Sequence, residues 1–254
     1  PAELRQDPDV LDTWFSSALF PFAALGWPDD TPELRAFYPT DVLVTARDII
    51  YLWVARMIMS GIEFLDQIPF DDVYINSIIQ APDGRRMSKS LGTGIDPLEL
   101  IDSHGADALR FGLLAMSSSQ DVRFSEAKVQ QGRDLANKLW NASRLILLNA
   151  ADAEPAASAE TAEDRWINSR LERTVAEVGE RLDAYDFAHA ALELYRFIYS
   201  ELCDWYLEIV KPRLYEGDET AAANLLHVLE RTLALAHPLM PFVTEEVWSY
   251  LPGR

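Results

Sequence analysis

A single cysteine, Cys203, stands in the whole chain. That excludes an intrachain disulfide framework and any cysteine-rich zinc site, and no protein-bound metal is expected. Cys203 ends the apolar run Phe197-Ile198-Tyr199-Ser200-Glu201-Leu202, where a buried structural thiol is the natural reading. A lone thiol fits a reducing, cytoplasmic setting. Long hydrophobic runs are also lacking, because charges interrupt every apolar stretch, so neither a membrane span nor a secretory signal is expected. Positive charge is scarce: 22 Lys and Arg face 41 Asp and Glu, a net charge of −19. That balance disfavours nucleic acid as a partner, since phosphate contacts are made by Lys and Arg.

The distribution of charge says more than its sum. Arg85, Arg86 and Lys89 form one basic island without an acid among them, and Arg123, Lys128, Arg133, Lys138 and Arg144 form a second against only Glu126 and Asp134. The second island is either a solvated helix face or a backbone contact for RNA. With 254 residues, 49% hydrophobic and 25% charged, the chain has the composition of one or two ordinary globular domains. It begins with Pro rather than Met, as a piece of a longer chain would.

Periodicity divides the chain into an α/β part followed by an all-α part. Val42-Leu43-Val44 predicts a buried strand, Asp48 to Met59 a helix without breakers until Gly61, and Val73 to Ile79 a second strand. Strand, helix and strand of these lengths make a βαβ unit with a parallel sheet. A glycine-punctuated stretch runs from Pro82-Asp83-Gly84 to Gly92-Thr93-Gly94. Asp96, Pro97 and Glu99 then open a helix as cap, first residue and capping-box partner, and a second short helix runs from Asp107 through Phe111. From Ser125, a plausible cap, Val129, Leu135, Ala136, Leu139, Trp140 and Leu145 recur at helical spacing. An exposed loop is expected over residues 150–163, then helices over 164–182, 186–210 and 219–236, and a tail helix from Thr244 to Tyr250. Trp166 and Trp205-Tyr206 read as core aromatics. The domains are placed at 1–122 and 123–254, the second an antiparallel helix bundle.

The loop around Lys89 is where chemistry is most legible. A mobile ammonium flanked by Ser88 and Ser90, with glycines behind, suits a polyphosphate on which charge develops. The spacing is not that of a Walker loop. Read from its residues alone, the stretch is either such a cradle or a solvated basic turn.

Arg86-Met87-Ser88-Lys89-Ser90 resembles the Lys-Met-Ser-Lys-Ser signature of class I aminoacyl-tRNA synthetases. The flanks are similar to the valyl type: Asp12-Thr13-Trp14-Phe15-Ser16-Ser17, Phe37-Tyr38-Pro39-Thr40-Asp41, Trp53-Val54-Ala55-Arg56-Met57-Ile58-Met59, Ala136-Asn137-Lys138-Leu139-Trp140-Asn141 and Cys203-Asp204-Trp205-Tyr206-Leu207-Glu208. The resemblance implies a partial Rossmann sheet with the signature loop, followed by an anticodon-binding bundle. It implies ATP-dependent activation of valine and transfer to tRNA(Val), with Mg2+ arriving as part of the ATP substrate. Lys89 would stabilise the departing pyrophosphate. Arg86 would keep the charge of the family's first lysine on a planar head. Met87 would pack by the adenine, Ser88 would shape the loop, and Asp48 would accept hydrogen bonds from ribose or substrate ammonium. Asn76, on the strand leading to the loop, belongs to the nucleotide site. Ile49 and Trp53, four apart, would wall a small aliphatic pocket or else be plain helix–sheet core. Such a pocket separates valine from isoleucine by size and scarcely rejects threonine. Lys128, Arg133 and Lys138 are the candidate tRNA contacts.

The second signature of the class, His-x-Gly-His, is absent, since no two of His104, His189, His227 and His237 are three apart. Ala46, Asn76 and Thr93 stand where many relatives carry glycine, histidine and asparagine. Two readings follow: a piece of a valine–tRNA ligase without its first signature and editing domain, inactive alone, or a standalone, non-catalytic tRNA-binding or regulatory paralogue. Half a Rossmann sheet would expose an edge open to self-association.

Overall fold

The computed structural model describes residues 5–88, 92–117, 120–150 and 153–253. The chain forms two compact units, residues 1–78 and 79–254. The stretch from Ile79 packs with the helices that follow it.

In the first unit, α1 (Thr13–Ala23) and α2 (Pro32–Phe37) precede β1 (Thr40–Ala46), α3 (Ala55–Leu65) and β2 (Phe70–Asn76). Asp12 caps α1 by accepting the Trp14 N–H at 2.8 Å, and Thr31 caps α2 through Leu34 N–H at 3.1 Å. β1 and β2 pair in parallel, from Thr40 opposite Phe70 to Ala46 opposite Asn76, as the βαβ pattern requires. Val54, Met57 and Phe70 form the core under this sheet, with Leu43, Trp53 and Ile58 packed around them. α1 is fastened by Arg56, whose guanidinium lies 4.2 Å from the Trp14 ring centroid and donates to the Trp14 carbonyl. A second cluster centres on buried Phe22, edge-on to Trp27 at 5.2 Å and to Tyr38 at 5.9 Å.

The helix expected from Asp48 to Met59 is irregular where it begins. Arg47–Ile49 is a 3-10 turn and Ile50–Val54 a π turn before α3 starts at Ala55. α3 continues through Gly61, where a Cβ would come within 2.8 Å of the Gln67 carbonyl; glycine is needed there for close approach, and breaks nothing. The second strand starts at Phe70, earlier than Val73, and ends at Asn76. Ile79 and Gln80 leave it to form β3 (Ile79–Gln80), which pairs in parallel with β4 (Val122–Arg123) in a separate sheet.

The second unit continues with α4 (Pro97–His104), α5 (Ala106–Ala115), α6 (Glu126–Ala150) and α7 (Ala162–Asp183), then α8 (Phe187–Arg196), a π-helical stretch Phe197–Tyr206, α9 (Leu207–Tyr215), α10 (Glu219–Ala236) and α11 (Pro241–Trp248). The helix expected over 186–210 is therefore three joined segments reaching Tyr215, and the tail helix starts at Pro241, which suits a first helical position, instead of Thr244. α5 and α6 pack so closely that a Cβ on Gly132 would come within 2.7 Å of the Ala108 carbonyl, and one on Gly112 within 2.9 Å of Val129 Cα. Leu135, Leu139, Ile146, Ile167, Leu171, Leu194, Ile198 and Leu229 are fully buried at the centre of the bundle. Among the described residues no helix is long and apolar enough to cross a membrane.

The expected exposed loop after α6 is partly buried. Ser158 N–H donates to Asn224 Oδ1 at 2.7 Å, and Asn168 Nδ2 donates to both the Ser158 carbonyl and Asn224 Oδ1 at 2.8 Å. Beside them Asp164, fully buried, receives the Tyr206 hydroxyl at 2.7 Å and Arg213 at 3.0 Å, while Asn224 donates to the Tyr206 oxygen at 2.6 Å. Burial pushes the Asp164 carboxyl up, but hydrogen bonds from Tyr206, Thr161 and Arg213 outweigh it and hold the group below its ordinary value. Because the folded-state pKa is depressed, the carboxylate stabilises the fold above about pH 4 and that contribution is lost as pH falls further.

Tyr206→Phe removes the central hydroxyl and leaves Asp164 and Asn224 short of a partner. Urea denaturation at pH 7 is expected to show a loss of about 1–2 kcal/mol, shrinking as the carboxyl protonates below pH 4. An equal loss at both pH values would mean that Asp164 is not the group through which Tyr206 acts.

Candidate functional site

The signature segment grows out of a tight hairpin. Gln80 bridges Arg86 in antiparallel fashion, Ala81 N–H donates to the Arg85 carbonyl at 2.9 Å, and Gly84 N–H donates to the Ala81 carbonyl at 2.8 Å. The turn needs the positive φ of Gly84, +86°. Asp83 closes it by accepting the Arg85 backbone N–H at 3.0 Å and the Arg85 side chain at 2.7 Å. The same two contacts, backbone first, lower the Asp83 pKa. On the other side, Phe124 N–H donates to the Gln80 carbonyl at 2.8 Å, so the hairpin hangs from β4.

Arg86 is exposed beyond the hairpin. Met87 packs with Ile79, Ile95, Leu100 and Val122 on the cluster of Ala108, Leu109, Met116, Phe124 and Val129. Ser88 N–H donates to Thr93 Oγ1 at 3.0 Å. Lys89 and Ser90, on which the chemical reading turned, lie outside the described residues.

In the first unit, Asp48 sits in the 3-10 turn after β1, half-exposed, with Arg47 Nε 3.5 Å from its carboxylate. Ile49 is 41% exposed, whereas Trp53 packs on the Val54–Met57–Phe70 core. The four-residue spacing assumed a regular α-helix; Ile49, at φ −114° and ψ 11°, lies outside helical geometry between a 3-10 and a π turn, so that argument does not place the two on one face. Asn76 ends β2 opposite Ala46 and donates to the Ser77 carbonyl at 3.1 Å.

The second basic island is split in use. Arg133 is exposed on α6, and Lys128 makes a long 3.5 Å contact with Gln131. Lys138 is engaged within the chain: its ammonium pairs with Asp204 and lies 3.4 Å from the Tyr199 ring centroid. Burial works against the charge of Lys138, but Asp204 more than restores it and raises its pKa.

Sequence reasoning misplaced two aromatics. Trp166 and Trp205 are 37% and 63% exposed and, with Ala162, Glu163 and Ile209, line an apolar groove of about 360 Å³. The buried face of α7 is Ile167, Leu171, Thr174 and Val178, which turns the neighbouring Trp166 about 100° away from it. Leu202, Cys203 and Tyr206 take the inner face of the π-helical stretch, leaving Trp205 outside. Trp140 is 40% exposed and lines a second groove with Arg144, Leu147 and Tyr250. Cys203 is buried as expected, and burial pushes its thiol up to about 12.

Residues 1–125 match the family described as tRNA synthetases class I (I, L, M and V), and residues 164–254 match the anticodon-binding domain of tRNA ligase. The chain is 53% identical over its full length to the valine–tRNA ligase of Symbiobacterium thermophilum and 52% identical over 98% of its length to that of Carboxydothermus hydrogenoformans. It spans 29% of the length of each. In fold it is similar to the Agrobacterium radiobacter K84 agnB2 LeuRS of a ternary LeuRS-tRNA-LeuAMS complex, with a TM-score of 0.78 at 20% identity, covering 96% of this chain and 32% of that one. It is also similar to Mycobacterium tuberculosis methionyl-tRNA synthetase in complex with methionyl-adenylate, with a TM-score of 0.74 at 20% identity, covering 92% of this chain and 49% of that one.

The Lys138 geometry can be checked by itself. Lys138→Ala removes an ion pair and a cation–π contact at a part-exposed site, and is expected to cost about 1 kcal/mol in low salt and less in 1 M NaCl. A salt-independent loss would assign the effect to packing of the lysine stem instead.

Proposed function

We propose, because this chain belongs to the class I tRNA synthetases and carries their anticodon-binding domain, that it serves ATP-dependent activation of valine and its transfer to tRNA(Val). One observation carries this reading: identity of about one half with valine–tRNA ligases extends over 98% or more of the chain. Residues 1–122 are then the later part of the catalytic domain and 123–254 the helical anticodon-binding domain. The setting is the cytoplasm.

In the first step a valine carboxylate oxygen attacks the α-phosphorus of ATP, the bond to the bridging oxygen breaks, and pyrophosphate leaves with the Mg2+ that accompanied ATP. Lys89 meets the charge that develops on the β- and γ-phosphates, with Arg86 adding a second cation. Met87 and Asn76 contact the nucleoside, Ser88 shapes the loop, and Asp48 accepts from ribose or from the substrate ammonium. Ile49 and Trp53 bound the valine side chain. In the second step a terminal ribose hydroxyl of tRNA displaces AMP from the adenylate. Lys128 and Arg133 contact the tRNA backbone. Lys138 joins them only by giving up Asp204, and is the weakest of the three. Exposed Trp166 and Trp205 offer aromatic faces on which unpaired bases stack.

The open sheet adds a partner. β1 and β2 form a two-stranded sheet, and Val42, Val44 and Val73 are 39%, 60% and 36% exposed. The exposure of these residues on a two-stranded sheet supports pairing of an edge with another chain.

Filter binding is expected to retain tRNA(Val), with affinity falling steeply as salt rises. Arg133→Ala and Lys128→Ala should each lower the slope of log affinity against log salt by about one, and Lys138→Ala should lower it less. Equal affinity for a non-cognate tRNA would sink the valine reading. These 254 residues contain no His-x-x-His pair, so their valine-dependent ATP–pyrophosphate exchange is expected at background. Robust exchange would show that the Arg86–Ser90 signature suffices.

A further inference from the structure

The signature loop is closed by one hydroxyl. Thr93 Oγ1 donates to the Arg86 carbonyl at 2.9 Å and accepts the Ser88 N–H at 3.0 Å, while Thr93 N–H donates to the Ser88 carbonyl at 3.2 Å. Gly92, at φ +62°, makes the left-handed turn just before it. Upstream, Arg86 is held by its bridge to Gln80, and Met87 is packed on the cluster beneath. We infer that Thr93 is a positioning residue of the proposed ATP site: its side chain sets the backbone of Arg86 and Ser88 before a polyphosphate arrives. The inference rests on the ATP reading of this loop.

The chemistry of the two side-chain bonds is restrictive. The position must supply a donor to one carbonyl and an acceptor to one N–H at the same place. A threonine or serine hydroxyl does both with one atom, and an asparagine amide does both with two. Valine has the shape of threonine and does neither. The same geometry has a second consequence. The Ser88 amide is already committed to Thr93, so it is not among the donors a phosphate meets; what Arg86 presents there is its exposed guanidinium.

The test uses the full 254-residue chain and four variants: Thr93→Val, Thr93→Ala, Thr93→Ser and Thr93→Asn. Amide hydrogen exchange at Ser88, read by NMR, reports the loop without any ligand. Calorimetric titration with Mg–ATP reports the site. Thr93→Val is expected to speed Ser88 exchange and to weaken Mg–ATP binding, each by roughly tenfold, with the melting temperature little changed. Thr93→Ala repeats the comparison without the branched side chain, should Thr93→Val fold poorly. Thr93→Ser and Thr93→Asn should stay within about threefold of the parent in both readings, as conservative replacements of a donor–acceptor pair. Unchanged Ser88 exchange in Thr93→Val and Thr93→Ala overturns the inference. So does faster exchange with unaltered Mg–ATP affinity, which would leave Thr93 a structural residue only. A parent chain that binds no Mg–ATP refutes the ATP reading itself and the ligand half of this inference with it, while the exchange comparison still decides whether Thr93 holds the loop.

Discussion

The Gln80 backbone is shared by two neighbours, and the signature loop depends on both. On one side Gln80 pairs with Arg123 and its carbonyl accepts the Phe124 N–H. On the other it bridges Arg86 across the Asp83–Gly84 turn. Phe124 is buried in one cluster with Val129 of α6, so the Asp83–Gly84 turn is tied through Gln80 to the packed α5–α6 helices. Without such a tether, a glycine-flanked basic loop would sample many conformations, and each would have to be restricted again on meeting a ligand.

The helical unit is organised by a different constraint, a carboxylate with no access to water. Asp164 is tolerated in the interior because Tyr206 and Arg213 donate to it and Thr161 starts its helix. Asn224 extends the network to the Ser158 backbone. A segment that would otherwise hang loose between α6 and α7 is thereby pinned to α10 and to the π-helical stretch. Buried polar groups of this kind raise the cost of any alternative arrangement, since an unpaired member would lose both water and protein partners.

Much of the architecture was legible from residue spacing. β1, α3 and β2 answer to the βαβ pattern, and Asp96 caps α4 with Pro97 in the first position, accepting Leu98 N–H at 2.9 Å. The buried thiol of Cys203 was equally plain. What spacing missed was local departure from regular helix. The 3-10 and π turns before α3 change where Ile49 faces, and the π-helical stretch after α8 joins two helices that periodicity read as one. Trp166 and Trp205 were taken inward because tryptophan is apolar, yet the inner positions of their helices were already filled by Ile167, Leu171, Cys203 and Tyr206. Spacing likewise gave no sign that Lys138 pairs with Asp204, 66 residues along the chain.

By itself the sequence determined the kinship of this protein, its division into a parallel-sheet part and a helical part, and the place of the signature segment Arg86–Ser90 along the chain. Those are properties of local pattern and of motif, and they survive without coordinates. The tertiary structure decided which charges are committed to other charges, which aromatics face outward, and that Thr93 binds back onto Arg86 and Ser88. Each of those outcomes depends on distances between residues that no spacing rule relates, because competition among neighbours for hydrogen bonds and buried volume is settled only when the chain is folded.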